Sequence, residues 1–155
     1  MDSHSKNDEF HSIINETFSE RTPFNKSLGL KVESISPDSM KTLFAMRDEL
    51  MGNYNRGMLH RGVISSVIDA TGGLAAFISI QEKMRGKTLE VKLEKSKRIS
   101  TIDLRVDFFR PGLGKKFSAT ANTLRTGNKV VVTRIELHND HNDLIAVGTG
   151  SYLVA

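Results

Sequence analysis

The second half of the chain alternates. Ile102, Leu104, Val106 and Phe108 take turns with Thr101, Asp103, Arg105 and Asp107, which predicts a strand with one packed and one wet face. Two more such runs, Phe117 to Arg125 and Lys129 to Leu137, flank Gly127-Asn128 and predict a tight hairpin. A polar turn over 139–143 leads to a last strand over 144–154. Nearer the N-terminus, Leu30, Val32 and Ile35 predict a strand, Pro37-Asp38-Ser39 a turn, and Met40 to Arg47 its antiparallel partner.

Two segments follow the helical period instead. Phe10, Ile13, Ile14 and Phe18 share one face of a helix over 8–20, before Pro23 ends or redirects the chain. Residues 60–80 are apolar nearly all round, the mark of a helix buried on most sides. Such a helix must be covered nearly all round. One antiparallel sheet of about six strands, curled about it, does this. The expectation is an α+β protein of hotdog architecture. It forms a single domain over 1–155, with an N-terminal helix and tail over 1–22 and no internal repeat.

Composition narrows the chemistry. There is no cysteine, so disulfides, thiolate catalysis and cysteine metal sites are excluded. The polar start, Met1 to Glu9, has no signal-peptide core. The apolar stretch from residue 63 is broken by Ser65, Ser66, Asp69 and two glycines, short of the roughly 20 residues of a membrane span. These features predict a soluble cytoplasmic protein. The net charge is +4, and residues 81–98 hold seven basic side chains against three acidic ones. That run reads as a solvated, flexible connection or as a docking surface for a phosphorylated ligand. No aromatic residue interleaves with it, which disfavours nucleic acid.

The chemical oddity is Asp69, inside the most apolar stretch of the chain. Burying an unpaired carboxylate costs several kcal/mol or more. Either hydrogen bonds satisfy it as a core acid, or it serves a reaction. Helical spacing puts it on a stripe with Ser65, Gly72, Gly73 and Ala76, opposite Ile64, Val67, Ile68, Thr71, Leu74, Ala75 and Ile78. Two glycines inside a helix cost roughly 1 kcal/mol each, so close approach of another helix or of a substrate is expected there.

His60 stands at the helix start, nine residue steps and roughly 13 Å of axis from Asp69. The two side chains meet around one small substrate only if two copies pair with antiparallel central helices, the small stripe facing the interface. Unpaired N–H groups near Arg61 and Gly62 sit at the positive end of the helix dipole, suited to hold an oxyanion. His60 and Asn53 add hydrogen-bond donors. One carboxylate, one oxyanion site and polar positioning groups suit hydrolysis of an activated acyl group.

Gly52-Asn53, His60-Arg61-Gly62-Val63-Ile64, Asp69 and Gly72-Gly73 together resemble the phenylacetate-pathway (PaaI-like) branch of the hotdog acyl-CoA thioesterases. Pro23-Phe24-Asn25, Leu59-His60, Thr101 to Asp107 and Arg110-Pro111-Gly112 are similar to the YigI-type medium- and long-chain acyl-CoA thioesterases. Gly127 to Val130, Glu136 to Asn139 and Tyr152 carry the likeness on to the C-terminus. The resemblance implies an enzyme of fatty acid metabolism that needs no cofactor or metal. It also implies a homo-oligomer, either a dimer or a dimer of dimers (a homotetramer), with active sites at the subunit interface.

In that likeness Asp69 is the catalytic general base or nucleophile, and the backbone N–H of Arg61 holds the thioester oxygen. Asn53 and His60 position the thioester or the water, and Thr101 supplies a hydroxyl to the nucleophilic water. Arg61 departs from the family's usual His-Gly-Gly, which puts a side chain beside the thioester or a phosphate. Arg98, Arg110, Lys115 and Lys116 become candidate contacts for coenzyme A phosphates.

Other readings compete. His138 to Asp143 is rich in metal-ligating types, but Asn and Asp runs are also what polar turns require. Arg110 to Lys116 lacks the spacing of a phosphate-cradling loop. A non-catalytic acyl-CoA-binding module on the same fold is disfavoured by the presence of Asp69 and His60. A hydroxyacyl-thioester dehydratase typically has a differently placed His and acid pair, which is absent here.

Overall fold

The alternating runs form one antiparallel sheet around one helix. In the computed structural model, which describes residues 3–155, the strands are β1 (Lys31–Ile35), β2 (Ser39–Ala45), β3 (Met51–Asn53), β4 (Met58–Leu59), β5 (Ser100–Phe108), β6 (Lys116–Thr126), β7 (Val130–Asn139) and β8 (Leu144–Leu153). Six of them make the main sheet in the order β1-β2-β6-β7-β8-β5, and β3 and β4 pair separately. The helices are α1 (Ser3–Asn15), α2 (Pro23–Leu28), α3 (Arg61–Ser79) and α4 (Leu89–Ser96). A π-helical turn, Glu16–Glu20, extends α1.

The sheet curls over α3, which packs against β2, β5, β6, β7 and β8. Ile64, Val67, Ile68, Leu74 and Phe77 are buried with Leu137, Ile135, Phe117 and Ala119 in one core. By length and composition alone α3 would also span a membrane. Ten of its residues are buried against the rest of the chain, as in a core helix.

Part of the small-residue stripe is covered within the chain, while Ser65, Asp69 and Gly73 stay half-buried. Gly72 and Ala76 are buried within the chain. A β-carbon on Gly72 would stand 2.2 Å from the Tyr152 hydroxyl and 2.9 Å from Ile135. The glycine is therefore there because a tyrosine of β8 stands beneath the helix. Gly148 plays the same part for Ile68, whose methyl would lie 2.3 Å from an added β-carbon.

Two further segments differ from the sequence-based expectation. Pro23 does not merely redirect the chain. It opens α2, where its fixed φ suits a first helical turn. Residues 81–98 are no loose connection either: Gln81–Met84 is a 3-10 turn, and α4 follows with Thr88 accepting from the Val91 N–H as its N-cap. Lys83 donates from Nζ to Gly127 O and Asn128 Oδ1 of the β6–β7 hairpin, both at 3.0 Å.

Candidate active site

Asp69 lies half-buried in the middle of α3, with a hydroxyl on its carboxylate. Thr101 Oγ1 donates to Asp69 Oδ1 at 2.8 Å. The sequence alternation puts Thr101 on the wet face of its strand, and the reason it reaches the acid is a bulge. In the β5–β8 pairing, Thr101 faces Tyr152 and Asp103 faces Ser151, so Ile102 is left over. An extra residue shifts the phase of the strand and re-aims its side chains. Ile102, placed in the core by the alternation, is 57% exposed.

Tyr152 holds the same position from below. Its hydroxyl donates to the main-chain oxygen of Asp69 at 3.0 Å. Burial, and then the neighbouring Asp69 carboxylate, push the phenol well above its ordinary pKa. It therefore stays protonated and donating. No reading of the sequence assigned Tyr152 a role; a lone tyrosine in the last alternating strand is indistinguishable from a core residue.

The acid borders an apolar cavity of about 280 Å³. On α3 the lining residues are Asp69, Ala70, Gly73, Leu74 and Phe77, one stripe running away from the carboxylate. Ile14, Thr17, Phe18 and Thr22 cover it from the N-terminal segment, and Leu93 and Ile99 from the α4 side. Thr101 and the Tyr152 hydroxyl hold the carboxylate at the cavity wall. It can therefore accept a proton from, or attack, a group seated in that cavity.

The start of α3 is built differently from the expectation. His60 is the N-cap, and its Nδ1 accepts from the Gly62 N–H at 2.8 Å. Within one chain this occupies the Gly62 donor, leaving the Arg61 N–H at the exposed helix end. Accepting at Nδ1 places the proton of a neutral imidazole on Nε2, aimed as a donor. A side chain at position 62 would meet the imidazole at 2.8 Å, so Gly62 makes the cap sterically workable. The β3–β4 hairpin fixes His60 from the other side: the His60 N–H donates to Leu50 O at 2.8 Å. Asn53 spends its side-chain oxygen on the Arg56 N–H at 3.3 Å, in the hairpin's own turn.

The candidate residues thus fall in two groups. Asp69 and Thr101 meet; His60, Arg61, Gly62 and Asn53 gather at the helix start. The unbroken helix keeps the groups roughly 13 Å apart in one chain. The basic candidates also divide. The loop after β5 lies against the helix start, with the Leu59 N–H donating to Gly112 O at 3.0 Å, so Arg110, Lys115 and Lys116 belong to that end. Arg98 precedes β5 and lies a strand length away, roughly 30 Å. Arg110 also donates to Leu144 O at 2.9 Å, a structural contact.

The run 138–143 is a turn organised by Asn139. Its side-chain oxygen accepts from the N–H groups of His141 and Asp143, and its amide donates to Leu113 O and Asp143 Oδ2.

A curled antiparallel sheet on one apolar helix, with a carboxylate of that helix facing an apolar cavity, defines a hotdog-fold protein equipped for acyl chemistry. The chain belongs to the thioesterase superfamily, whose sequence profile matches residues 56–146, and is a thioester hydrolase.

Two relatives are medium/long-chain acyl-CoA thioesterases called YigI. The one from Escherichia coli K12 is 37% identical over 142 residues, covering 92% of each chain. The one from Salmonella typhimurium is 38% identical over the same span. Solved structures agree. A Syntrophus aciditrophicus protein provisionally assigned as a thioesterase is 54% identical with a TM-score of 0.88, covering 97% of this chain and 99% of its own. A Shewanella oneidensis protein related to the thioesterase superfamily is 38% identical with the same TM-score, covering 95% and 96%.

Proposed function

We propose that this chain hydrolyses medium- to long-chain acyl-CoA to free fatty acid and coenzyme A. One observation carries the reading: the Thr101–Asp69 hydrogen bond lies on the wall of an apolar cavity. An acyl chain suits the cavity, and the acid beside it suits attack on the thioester carbon. The names of the relatives support the substrate class.

As general base, Asp69 takes a proton from water, whose oxygen attacks the carbonyl carbon. As nucleophile, it forms an acyl-carboxylate anhydride that water then cleaves. Thr101, its proton given to the carboxylate, accepts from that water while keeping the carboxylate in place. Negative charge gathers on the carbonyl oxygen, opposite the Arg61 N–H and the positive end of α3. The thiol leaves readily, since its pKa is near that of a cysteine, about 8.5.

The complete site is shared by two chains. β5 is one of the two outer strands of the sheet, and Ile102, Phe108 and Phe109 along and just beyond it are exposed. Pairing two such edges about a two-fold axis extends the sheet and sets the α3 helices antiparallel. His60 and Arg61 of one chain then stand beside Asp69 of the other, and Asn53 with them. The assembly is a dimer or a dimer of dimers.

The deciding experiment is thiol release from acyl-CoA by the wild-type chain and by Asp69→Asn, which keeps the shape and removes the base. Turnover by the wild type that is lost in the variant is expected; equal rates would remove Asp69 from the mechanism.

A further inference from the structure

The cavity beside Asp69 does not simply fade into the core. On its far side lies a wider groove of about 1040 Å³, lined by Phe10, Ile78, Leu89 and Lys92 among others. The two spaces abut along three elements. On α1, Phe10 lines the groove and Ile14 the cavity; on α3, Ile78 lines the groove and Phe77 the cavity; on α4, Leu89 and Lys92 line the groove and Leu93 the cavity. Ile14, Phe77 and Leu93 therefore stand as a partition between an apolar cavity and a groove edged by side chains of both charges.

We propose that this partition is the end wall of the acyl pocket and sets its chain length at about eight to ten carbons. The inference rests on the thioesterase reading of the same site. Two measures of the cavity agree on the length. At roughly 30 Å³ per heavy atom, a water's share of liquid volume, 280 Å³ holds about nine atoms. From Asp69 to Phe77 is eight residue steps along α3, roughly 12 Å. An extended chain advancing about 1.2 Å per bond covers that in ten bonds.

Leu93 is the adjustable part. Ile14 and Phe77 are buried in the main core, whereas Leu93 is half-buried on a two-turn helix that packs lightly on the rest of the chain. Changing its size alters the wall without opening the core. It also gives the basic 81–98 segment a purpose that its charge does not suggest: an apolar residue inside a charged helix closes the substrate pocket.

The test is kcat/KM for straight-chain acyl-CoA substrates from butyryl- to palmitoyl-CoA. In the wild type the value should rise about fourfold per added methylene, then level off at eight to ten carbons. Leu93→Trp should move that break to shorter chains. Leu93→Ala, which opens the cavity into the groove, should let the rise continue into the longer substrates. Leu93→Met should leave the break where it is. Circular dichroism and gel filtration show whether each of the three folds and assembles as the wild type does. If Leu93→Trp fails to fold, Thr17→Leu fills the same cavity from the opposite wall and should shorten the preference likewise.

A break that stays put in both the enlarged and the filled variants, with all of them folded, overturns the proposal and leaves the hydrolase reading standing. A wild-type protein that hydrolyses no thioester in the series overturns both.

Discussion

Thr101 and Tyr152 face each other across β5 and β8, and both hold residue 69 of the helix above them. One bonds its carboxylate and the other its main-chain oxygen. The bulge at Ile102 makes this pairing possible, so a single extra residue in an edge strand places a hydroxyl on the acid.

Removing that hydroxyl should slow catalysis without unfolding the chain. A hydrogen bond to a charged group contributes roughly 1.5–3 kcal/mol, so Thr101→Val should lose about ten- to a hundredfold in kcat. Thr101→Ser should recover most of it. Asp69→Asn removes the base itself, and a loss of about a hundred- to ten-thousandfold is expected. Steady-state thiol release checks all three, and a Thr101→Val enzyme at wild-type speed would exclude the positioning role.

A shared site predicts complementation. Asp69→Asn and His60→Ala should each be nearly inactive alone. Refolded together at equal amounts, half of the dimers are mixed and each carries one intact site, so about one quarter of wild-type activity should return. No recovery in a mixture shown by light scattering to contain dimers would place both residues' work within one chain.

The two glycines should respond in opposite directions. Gly72→Ala drives a methyl into the Tyr152 hydroxyl, Thr133 and Ile135, and overpacking of this kind costs about 1–3 kcal/mol. At Gly73 the added methyl meets only the Tyr152 ring, at 3.4 Å. There the helix gains up to about 1 kcal/mol from alanine, but the acyl cavity narrows. Thermal melts should show Tm falling for the first variant and holding or rising for the second. The second should lose activity on its longest substrates.

Tyr152 predicts alkaline sensitivity. Its folded-state pKa lies above the unfolded value of about 10, because burial and the Asp69 carboxylate disfavour the phenolate. The resulting stability is fully present below about pH 10. Above it the unfolded chain gives up the proton and the folded chain does not, so stability falls as pH rises. Denaturant melts from about pH 8 to 11 should show that fall. Tyr152→Phe should flatten it, at a cost of about 1 kcal/mol at neutral pH from the lost bond to Asp69 O.

Asn139 holds the turn after β7 and, through Leu113, the basic loop after β5. Asn139→Ala should destabilise the chain by about 1–3 kcal/mol, measured by urea unfolding. It should raise KM for acyl-CoA more than it lowers kcat, if the loop at Arg110 to Lys116 meets the coenzyme A phosphates.

Period and polarity along the chain determined most of the architecture. The strands over 101–108, 117–125, 129–137 and 144–154 and the buried helix over 60–80 were all legible, because alternation and the 3.6 period are local properties of the residues. The candidate acid was legible too, since a carboxylate in an apolar helix is a local anomaly. What only the tertiary structure decided was how distant residues meet. The bulge that turns Thr101 to Asp69, the Tyr152 hydroxyl that accounts for Gly72, and the wall of Ile14, Phe77 and Leu93 each join segments far apart in sequence. No periodicity reports such contacts. The occupied Gly62 N–H has the same origin: spacing places His60 at the helix start, but only its folded position, held by Leu50, shows that the imidazole caps the helix.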